Sequence, residues 1–169
     1  MKKQTMKKIM TVQIFLLACA LFAGPVSYIS PNGVLAGTAT TDNGVTTYRD
    51  AAGTIIGSSI RNGTQITYRT VNGHTLGTTW QLDANTTYKD AQGRIAGTAI
   101  RDGNQITYRD HNSRILGKAM ISGNKTTYHN ANGQLIGTAN FGEINEFTRD
   151  AFFHFLYSAK KSFSLGFPN

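Results

Sequence analysis

The chain is poor in the residues that build disulfide scaffolds and long charged helices. Of 169 residues, one is cysteine (Cys19), three are proline, one is tryptophan, and only 15% are charged. A single cysteine excludes an internal disulfide framework and a cysteine-rich zinc module. The low charge and the abundance of glycine and threonine favour short strands joined by tight turns. The sequence therefore predicts one all-β domain with short extensions.

Much of the positive charge lies at the start of the chain. The formal net charge is +8, from seventeen basic and nine acidic residues. Four of the basic residues fall within the first eight positions: Lys2, Lys3, Lys7 and Lys8. The remaining thirteen leave a net charge of +4. Such a modest charge does not favour nucleic acid as a partner.

Residues 1–23 have the pattern of a secretory signal peptide. A basic stretch ends at Lys8, and residues 9–23 are apolar apart from Thr11 and Gln13. An apolar run of this length is too short to span a bilayer comfortably and is typical of an export signal. Small residues place the predicted cleavage after Ala20 or after Ala23. We therefore expect a secreted, periplasmic or outer-envelope protein.

A second interpretation of the same segment is a lipid anchor. The stretch Leu16-Leu17-Ala18-Cys19 resembles the lipobox of bacterial lipoproteins, which implies lipidation of Cys19 and attachment to a membrane. Residues 20–23 stay apolar, whereas lipoproteins usually become polar there. Both interpretations place the protein outside the cytoplasm.

A repeat of twenty residues dominates residues 28–140. Its tyrosine column is Tyr28, Tyr48, Tyr68, Tyr88, Tyr108 and Tyr128, and one glycine column is Gly37, Gly57, Gly77, Gly97, Gly117 and Gly137. A second glycine column contains Gly33, Gly53, Gly73, Gly93 and Gly133, with Ser113 as the exception. A fixed period in several columns indicates a tandem array, here of six units.

Each unit is predicted to be a β-hairpin followed by a second turn. Stretches such as Asp50-Ala51-Ala52-Gly53 fit a type I turn that ends on a left-handed glycine. Pairs such as Asn43-Gly44, Asn62-Gly63, Asp102-Gly103 and Ser122-Gly123 are typical of two-residue hairpin turns. The fold class is thus an all-β tandem hairpin array, either a solenoid or spiral or a curled antiparallel meander.

The strand register predicts two different faces. We expect Tyr48 opposite Ile56, with Trp80 and Met120 on the tyrosine side and with Gly57 and Ser59 on the other. Stacked copies would then form a structural ladder of tyrosines along a buried seam. An exposed ladder would instead be a platform for stacking sugars, but packing is favoured.

The repeat also resembles two known repeat families. The segment Thr87-Tyr88-Lys89-Asp90-Ala91-Gln92-Gly93-Arg94-Ile95 is similar to the YD repeat of Rhs and Tc-toxin shells, with one extra residue between Tyr and Asp. The spacing of the tyrosine and glycine columns is similar to the choline- and glucan-binding repeats of cell-wall proteins. Those repeats hold ligands in cages of Trp and Tyr, whereas Trp80 is the one tryptophan here. The resemblance implies hairpin architecture and no particular ligand.

No catalytic, cofactor or metal site is predicted, and we do not expect an enzyme. The histidines, His74, His111, His129 and His154, lack the spacing of a zinc site. Asp50, Asp90 and Asp110 occupy the first position of turns, where Asp caps its own backbone. No serine has the context of a nucleophile, and Cys19 belongs to the export signal.

A column of basic residues is the candidate binding site. Its members are Arg49, Arg69, Lys89, Arg94, Arg109 and Arg114. Stacked hairpins would align them into a positive ribbon that binds an anionic envelope glycan or another surface protein. The alternative is a solvated face, since the aspartates at the same turns offset part of the charge.

The period ends at residue 140, and residues 141–169 are predicted to be an amphipathic α-helix and tail. Its apolar positions are Ile144, Phe147, Ala151, Phe155, Ala159 and Phe163. We expect this helix to cap the last repeat; contact with a membrane surface or a partner is the alternative. The predicted function is a secreted or envelope-associated, non-catalytic binding or structural module of a bacterium. Two alternatives remain: a small exported regulator or inhibitor that docks through the Phe-rich helix, and a stand-alone relative of toxin-shell repeats.

Overall fold

The computed structural model describes residues 25–141, which form twelve β-strands. They are β1 Val26–Ile29, β2 Leu35–Asp42, β3 Val45–Asp50, β4 Ile55–Asn62, β5 Gln65–Thr70, β6 Thr75–Leu82, β7 Asn85–Asp90, β8 Ile95–Asp102, β9 Gln105–Asp110, β10 Ile115–Ser122, β11 Lys125–Asn130 and β12 Leu135–Phe141. Within this range no helix is long and apolar enough to cross a membrane. The predicted signal peptide, Cys19 and the predicted C-terminal helix lie outside the described residues.

The strands form an antiparallel meander that closes on itself. Each strand pairs with its neighbours in sequence, and β1 pairs with β12 to complete a closed barrel. The prediction of an all-β hairpin array is therefore confirmed, with the curled meander in place of the solenoid. Because β12 is paired, the last repeat has no open edge, and the predicted cap has nothing of that kind to cover.

The first and last strands of the barrel, β1 and β12, together make the sixth hairpin. Ala139 of β12 lies opposite Tyr28 of β1, as Ala39 lies opposite Tyr48 in the hairpin of β2 and β3. Phe141 lies opposite Val26 in the same way. The barrel is thus a ring of six equivalent strand pairs, of which five are hairpins and one joins the first and last strands.

The turns at one end of the barrel are those that the sequence predicts. The Oδ1 of Asp50 accepts hydrogen bonds from the backbone N–H of Ala52 and of Thr54, both at 2.9 Å, and Gly53 has φ +84°. Asp90 and Asp110 accept the same two bonds in their own turns. The capping role of the three aspartates is confirmed. We call this end of the barrel the Asp-turn end.

The turns at the other end differ in detail from the prediction. Asn43 and Gly44 form the first turn, both with positive φ, as in a type I′ hairpin. In three later hairpins the glycine is the first turn residue, because Asn62, Asp102 and Ser122 still belong to the strands. Those turns are Gly63-Thr64, Gly103-Asn104 and Gly123-Asn124, and glycine with positive φ at the first position is typical of type II′. We call this end the hairpin-turn end.

A β-bulge in every repeat overturns the predicted assignment of faces. Tyr48 lies opposite Gly57, not Ile56, because the register shifts by one residue between Tyr48 and Arg49. The extra residue moves Ser59 to the tyrosine side. By the same shift Trp80 is on the outer face and 51% exposed, and Met120 is 43% exposed.

The inner wall of the barrel consists of tyrosines and small residues. All six tyrosines of the column are at most 5% exposed, and Ala119 and Ala139 are fully buried. Glycine is required where strands bulge: a Cβ at Gly117 would collide with the backbone carbonyl oxygen of His129, and one at Gly97 with that of Arg109. The core is thus inside the barrel, and every hairpin contributes a tyrosine to it.

Replacing Ser113 by glycine is expected to stabilise the barrel. Ser113 has φ +64° at the position where the five other repeats have glycine with positive φ. A side chain in this conformation costs about 1–2 kcal/mol, and the entropy of glycine returns part of this. We expect S113G to raise the free energy of unfolding in urea by ~0.5–1 kcal/mol, and the control G93S to lower it. Equal stability of the two variants and the parent protein would contradict this account.

Candidate binding surfaces

The basic column lies on the outer wall near the Asp-turn end. Arg49, Arg69, Lys89 and Arg109 each follow an inward-facing tyrosine, so the alternation of the strand directs them outwards. Arg94 and Arg114 lie on the adjoining turns and are exposed. All six predicted residues are therefore at the same end of the barrel.

The column is not a straight ribbon, because the barrel is closed. β3 and β9 are six strands apart in a ring of twelve, so Arg49 and Arg109 lie on opposite sides of the molecule. A straight or flat ligand reaches only neighbouring members of such an arc. The six residues are thus several small sites rather than one.

Several of the basic side chains are held against their own turns. Nη1 of Arg49 donates a hydrogen bond to the carbonyl oxygen of Gly53 at 2.9 Å, and Nη1 of Arg109 donates to that of Ser113 at 2.8 Å. Arg94 forms an ion pair with Asp90 at 2.7 Å. Desolvation raises the pKa of Asp90, but the hydrogen bonds from Arg94 and Gln92 and the charge of Arg94 outweigh it, so the pKa is lowered. The charge of Arg94 is therefore largely offset.

A second group of basic residues lies on β9, β10, β11 and the turn between β9 and β10. It consists of Arg109, Arg114, Lys118 and His129, and we call it the basic patch. Lys118 is exposed on the outer face and lies directly opposite His129. Within residues 25–141 none of the four side chains forms an ion pair. Lys118 was not among the predicted site residues, although it is the one charged residue in a column of Thr and Ser.

An apolar stripe crosses the outer wall nearer the hairpin-turn end. Its residues are Ile60, Trp80, Ile100 and Met120, between 37% and 51% exposed, on alternate strands. Threonines of the intervening strands, such as Thr87 beside Trp80, separate them. The stripe is therefore a row of isolated apolar side chains rather than one continuous patch.

Inside the barrel, the tyrosine hydroxyls are close enough to affect one another. Burial and then the neighbouring hydroxyls of Tyr48, Tyr128 and Tyr68 raise the pKa of Tyr28 well above its ordinary value. Burial also raises the pKa of Tyr48 to about 12, although its hydroxyl is hydrogen-bonded to Ser59 Oγ at 3.1 Å. This buried ring of phenols favours packing over a platform for stacking sugars.

Two arginines point into the barrel at the hairpin-turn end. Arg61 and Arg101 have the inward parity of their strands, two residues after the small residues Ser59 and Ala99, and Gln81 lies between them. The Nε of each arginine donates to a turn carbonyl oxygen at 3.0 Å, Gly63 and Gly103 respectively. Desolvation lowers the pKa of Arg61. We call Arg61, Gln81 and Arg101 the arginine mouth.

The residues of the arginine mouth were not among the predicted site residues. The predicted register placed the residues two positions earlier, such as Ser59, on the opposite face. Once the bulge is included, every second residue of β4 and β8 faces inwards, and Arg61 and Arg101 follow. The twenty-residue spacing thus aligned both arginines in one column, but the predicted register assigned that column to the wrong face of the strand.

The remaining candidates do not come together. His74, His111 and His129 lie in three different repeats, and among residues 25–141 no group of three His, Cys, Asp or Glu side chains is arranged to hold a metal ion. His154 lies outside the described residues. Asp50, Asp90 and Asp110 are separated in the ring by the strands between their turns.

The buried tyrosines predict that the barrel unfolds in alkali. A folded-state pKa above the unfolded value means that stability is complete below pH 10 and falls as the pH rises through about 12. For Tyr48 the shift corresponds to roughly 2–3 kcal/mol. We expect tyrosinate absorbance to rise over the same pH range in which the circular dichroism signal of the β-sheet is lost. The stability of the Y48F variant should fall less steeply as the pH rises. Ionisation of most tyrosines near pH 10 in an intact barrel would contradict this.

Comparison with known proteins supports the architecture. No protein-family model matches the chain, and no curated protein matches it. The resemblance to YD repeats and to choline- and glucan-binding repeats therefore stays a prediction. Among solved structures, the X-ray structure of a protein from Arabidopsis thaliana is similar with a TM-score of 0.52 and 10% sequence identity. The match covers 83% of this chain and 93% of that one. At this identity the likeness shows the fold alone.

Proposed function

We propose that this protein is an exported, non-catalytic binding module whose basic patch engages an anionic polymer of the cell envelope. The observation that carries the proposal is the position of Arg109, Arg114 and Lys118 on neighbouring strands and a turn of a closed wall. The ion pair between Arg94 and Asp90 lies outside this patch. Three cations that are not paired with carboxylates keep their attraction for a negatively charged ligand.

The shape of the wall selects the class of ligand. Lys118 lies opposite Thr107, which is two residues from Arg109 on β9. With ordinary strand spacing, the Cα atoms of Arg109 and Lys118 are about 8 Å apart. The wall is convex, so a flexible chain with regularly spaced sulfate or phosphate groups follows it better than a flat surface does. Sulfated glycans and lipopolysaccharide are of this class.

Removing the charge of the basic patch is expected to weaken binding to such a polymer. We expect the double variant R109Q/K118Q to bind heparin, used as a probe, about tenfold more weakly than the parent protein. Each lost contact is worth ~0.5–1 kcal/mol at a solvent-exposed site. The binding should also weaken as salt is added, because exposed charges are screened. Binding is measured by isothermal titration or surface plasmon resonance.

The barrel supplies a matched control on its opposite side. R49Q/R69Q removes the same number of charges, and Arg49 makes the same bond to its turn as Arg109 does. K125Q removes a lysine at the hairpin-turn end. These variants should keep nearly all of the affinity. Equal losses for both double variants would indicate attraction by net charge alone and would refute the basic patch.

Export is the second part of the proposal, and the position of β1 supports it. The first barrel residue is Val26, so cleavage after Ala23 leaves two residues before the barrel and processing at Cys19 leaves seven. Neither removes a strand. We expect mass spectrometry of the mature protein from fractionated cells to find a new N-terminus between residues 19 and 24. A protein that keeps Met1 in the cytoplasm would disprove export.

The predicted Phe-rich C-terminal helix belongs to the proposal as well. As a docking element it would make this protein a small exported regulator, the alternative function. Its predicted role as a cap has lost its basis, because β1 covers the edge of β12.

A further inference from the structure

Exposed aliphatic side chains surround the Asp-turn end of the barrel, with one at or beside each of its six turns. They are between 42% and 64% exposed, and they are Val34, Ile55, Val71, Ile95, Ile115 and Leu135. The third repeat has Thr75 where the other repeats have isoleucine or leucine, and Val71 on the turn supplies the aliphatic group there. We call these six residues the aliphatic rim.

Basic residues lie directly beside the aliphatic rim. In three hairpins a cation and an aliphatic residue are direct partners across the strand pair: Arg49 with Ile55, Lys89 with Ile95, and Arg109 with Ile115. Side chains of such partners are about 5 Å apart. The outer surface at this end of the barrel therefore alternates positive and apolar groups.

Hydrogen bonds turn two of these cations towards the end of the barrel. Nη1 of Arg49 donates to the carbonyl oxygen of Gly53, and Nη1 of Arg109 donates to that of Ser113. Both acceptors belong to turns, so the two guanidinium groups lie at the level of the turns. A flat ligand against the side of the barrel reaches only neighbouring cations, whereas one across the end meets all of them.

Charge distinguishes this end from the opposite one. Within residues 25–141, the Asp-turn end has six basic residues and three acidic ones: Arg49, Arg69, Lys89, Arg94, Arg109 and Arg114 with Asp50, Asp90 and Asp110. The hairpin-turn end has three of each: Arg61, Arg101 and Lys125 with Asp42, Asp83 and Asp102. Apolar side chains such as Leu82 are exposed at the hairpin-turn end too. The difference in charge therefore decides which end meets an anionic surface.

The charge and the shape of this end select its partner. A second copy of this chain docked through the same end would bring like charges together, which repel. A closed barrel has no sheet edge, so the cations are not needed to protect one. A flat surface with negative charges above an apolar layer matches both kinds of group at all six turns. A bilayer with anionic headgroups is such a surface.

We propose that the Asp-turn end docks end-on onto a bilayer that contains anionic phospholipids. The aliphatic rim enters the boundary between headgroups and acyl chains, and the neighbouring cations lie against the phosphates. Both β1 and β12 have their outer ends at the hairpin-turn end, so the barrel strands leave this face open. The inference goes beyond the proposed function and does not rest on it, since Lys118 lies on the side wall.

Tryptophan fluorescence tests which end meets the bilayer. Trp80 is the one tryptophan of the chain, so W80F removes the background signal. Ile95 and Ile100 are exposed on the same strand, β8, with Ile95 at the Asp-turn end. We expect vesicles of phosphatidylcholine and phosphatidylglycerol with brominated acyl chains to quench W80F/I95W. The matched control W80F/I100W should keep its fluorescence.

Three results of this experiment would overturn the proposal. Quenching of W80F/I100W alone would mean that the other end docks, and equal quenching of both variants would mean that the barrel lies on its side. Quenching of neither would mean that the barrel does not touch the acyl chains. Vesicles of phosphatidylcholine alone should bind much more weakly, and equal binding to them would contradict the role of the cations.

Charge variants separate this face from the basic patch. We expect R49Q/R69Q to bind the anionic vesicles roughly tenfold to thirtyfold more weakly in a sedimentation assay, because each basic residue near such a surface contributes about fivefold. K118Q/K125Q removes two charges away from the aliphatic rim and should stay within about twofold of the parent protein. Equal losses for the two variants would overturn docking through this end.

The heparin experiment distinguishes failure of this inference from failure of the proposed function. R49Q/R69Q is expected to keep its affinity for heparin while it loses affinity for vesicles. If R109Q/K118Q kept its affinity for heparin, the basic patch would be refuted, but the result with W80F/I95W would still support docking. If heparin binding behaved as expected and W80F/I95W were not quenched, docking alone would be overturned.

Discussion

The whole structure depends on the pairing of β1 with β12. All other strand contacts join neighbours in sequence and form locally, whereas this one joins Val26 to Phe141. Without it the chain would be a sheet with two open edges, each a template for aggregation. With it, six hairpins share one dry interior, and the tyrosines of all six face the same axis. Four residues of β1 therefore decide whether the repeats form one domain.

The sequence predicted the period, the strands and the turns, because each depends on local chemistry. Asp50 with Gly53 and Asn43 with Gly44 specify their turns by hydrogen bonding and positive φ. The faces were predicted wrongly, because a bulge adds one residue and so exchanges inside and outside. The hydrophobic pattern could not correct this, since isoleucine occurs on both walls: Ile106 is buried, and Ile100 is 45% exposed.

Closure also changes what the repeat can bind. In an open array the basic column would be a continuous ribbon, but in a ring Arg49 and Arg109 point in opposite directions. The number of repeats that closes a ring depends on stagger and tilt, which no single repeat reveals. Symmetry makes the six hairpins alike, so a specific surface has to come from positions where one repeat differs. Lys118 in the threonine column is such a position on the outside, and Arg61 and Arg101 are such positions on the inside.

The inner wall of the barrel packs the core, whereas the outer wall carries most of the charged side chains. The inner wall combines large and small residues: Ala39 lies opposite Tyr48 and Ala119 opposite Tyr128, so each small residue leaves room for a tyrosine ring. The six buried tyrosines form this core, and our proposal therefore places recognition on the outer wall. The outer wall is rigid because every strand is paired on both sides, so its cations hold fixed positions. Rigid charges lose little entropy on binding, so the basic patch benefits from the closed barrel although its side chains lie on the outside.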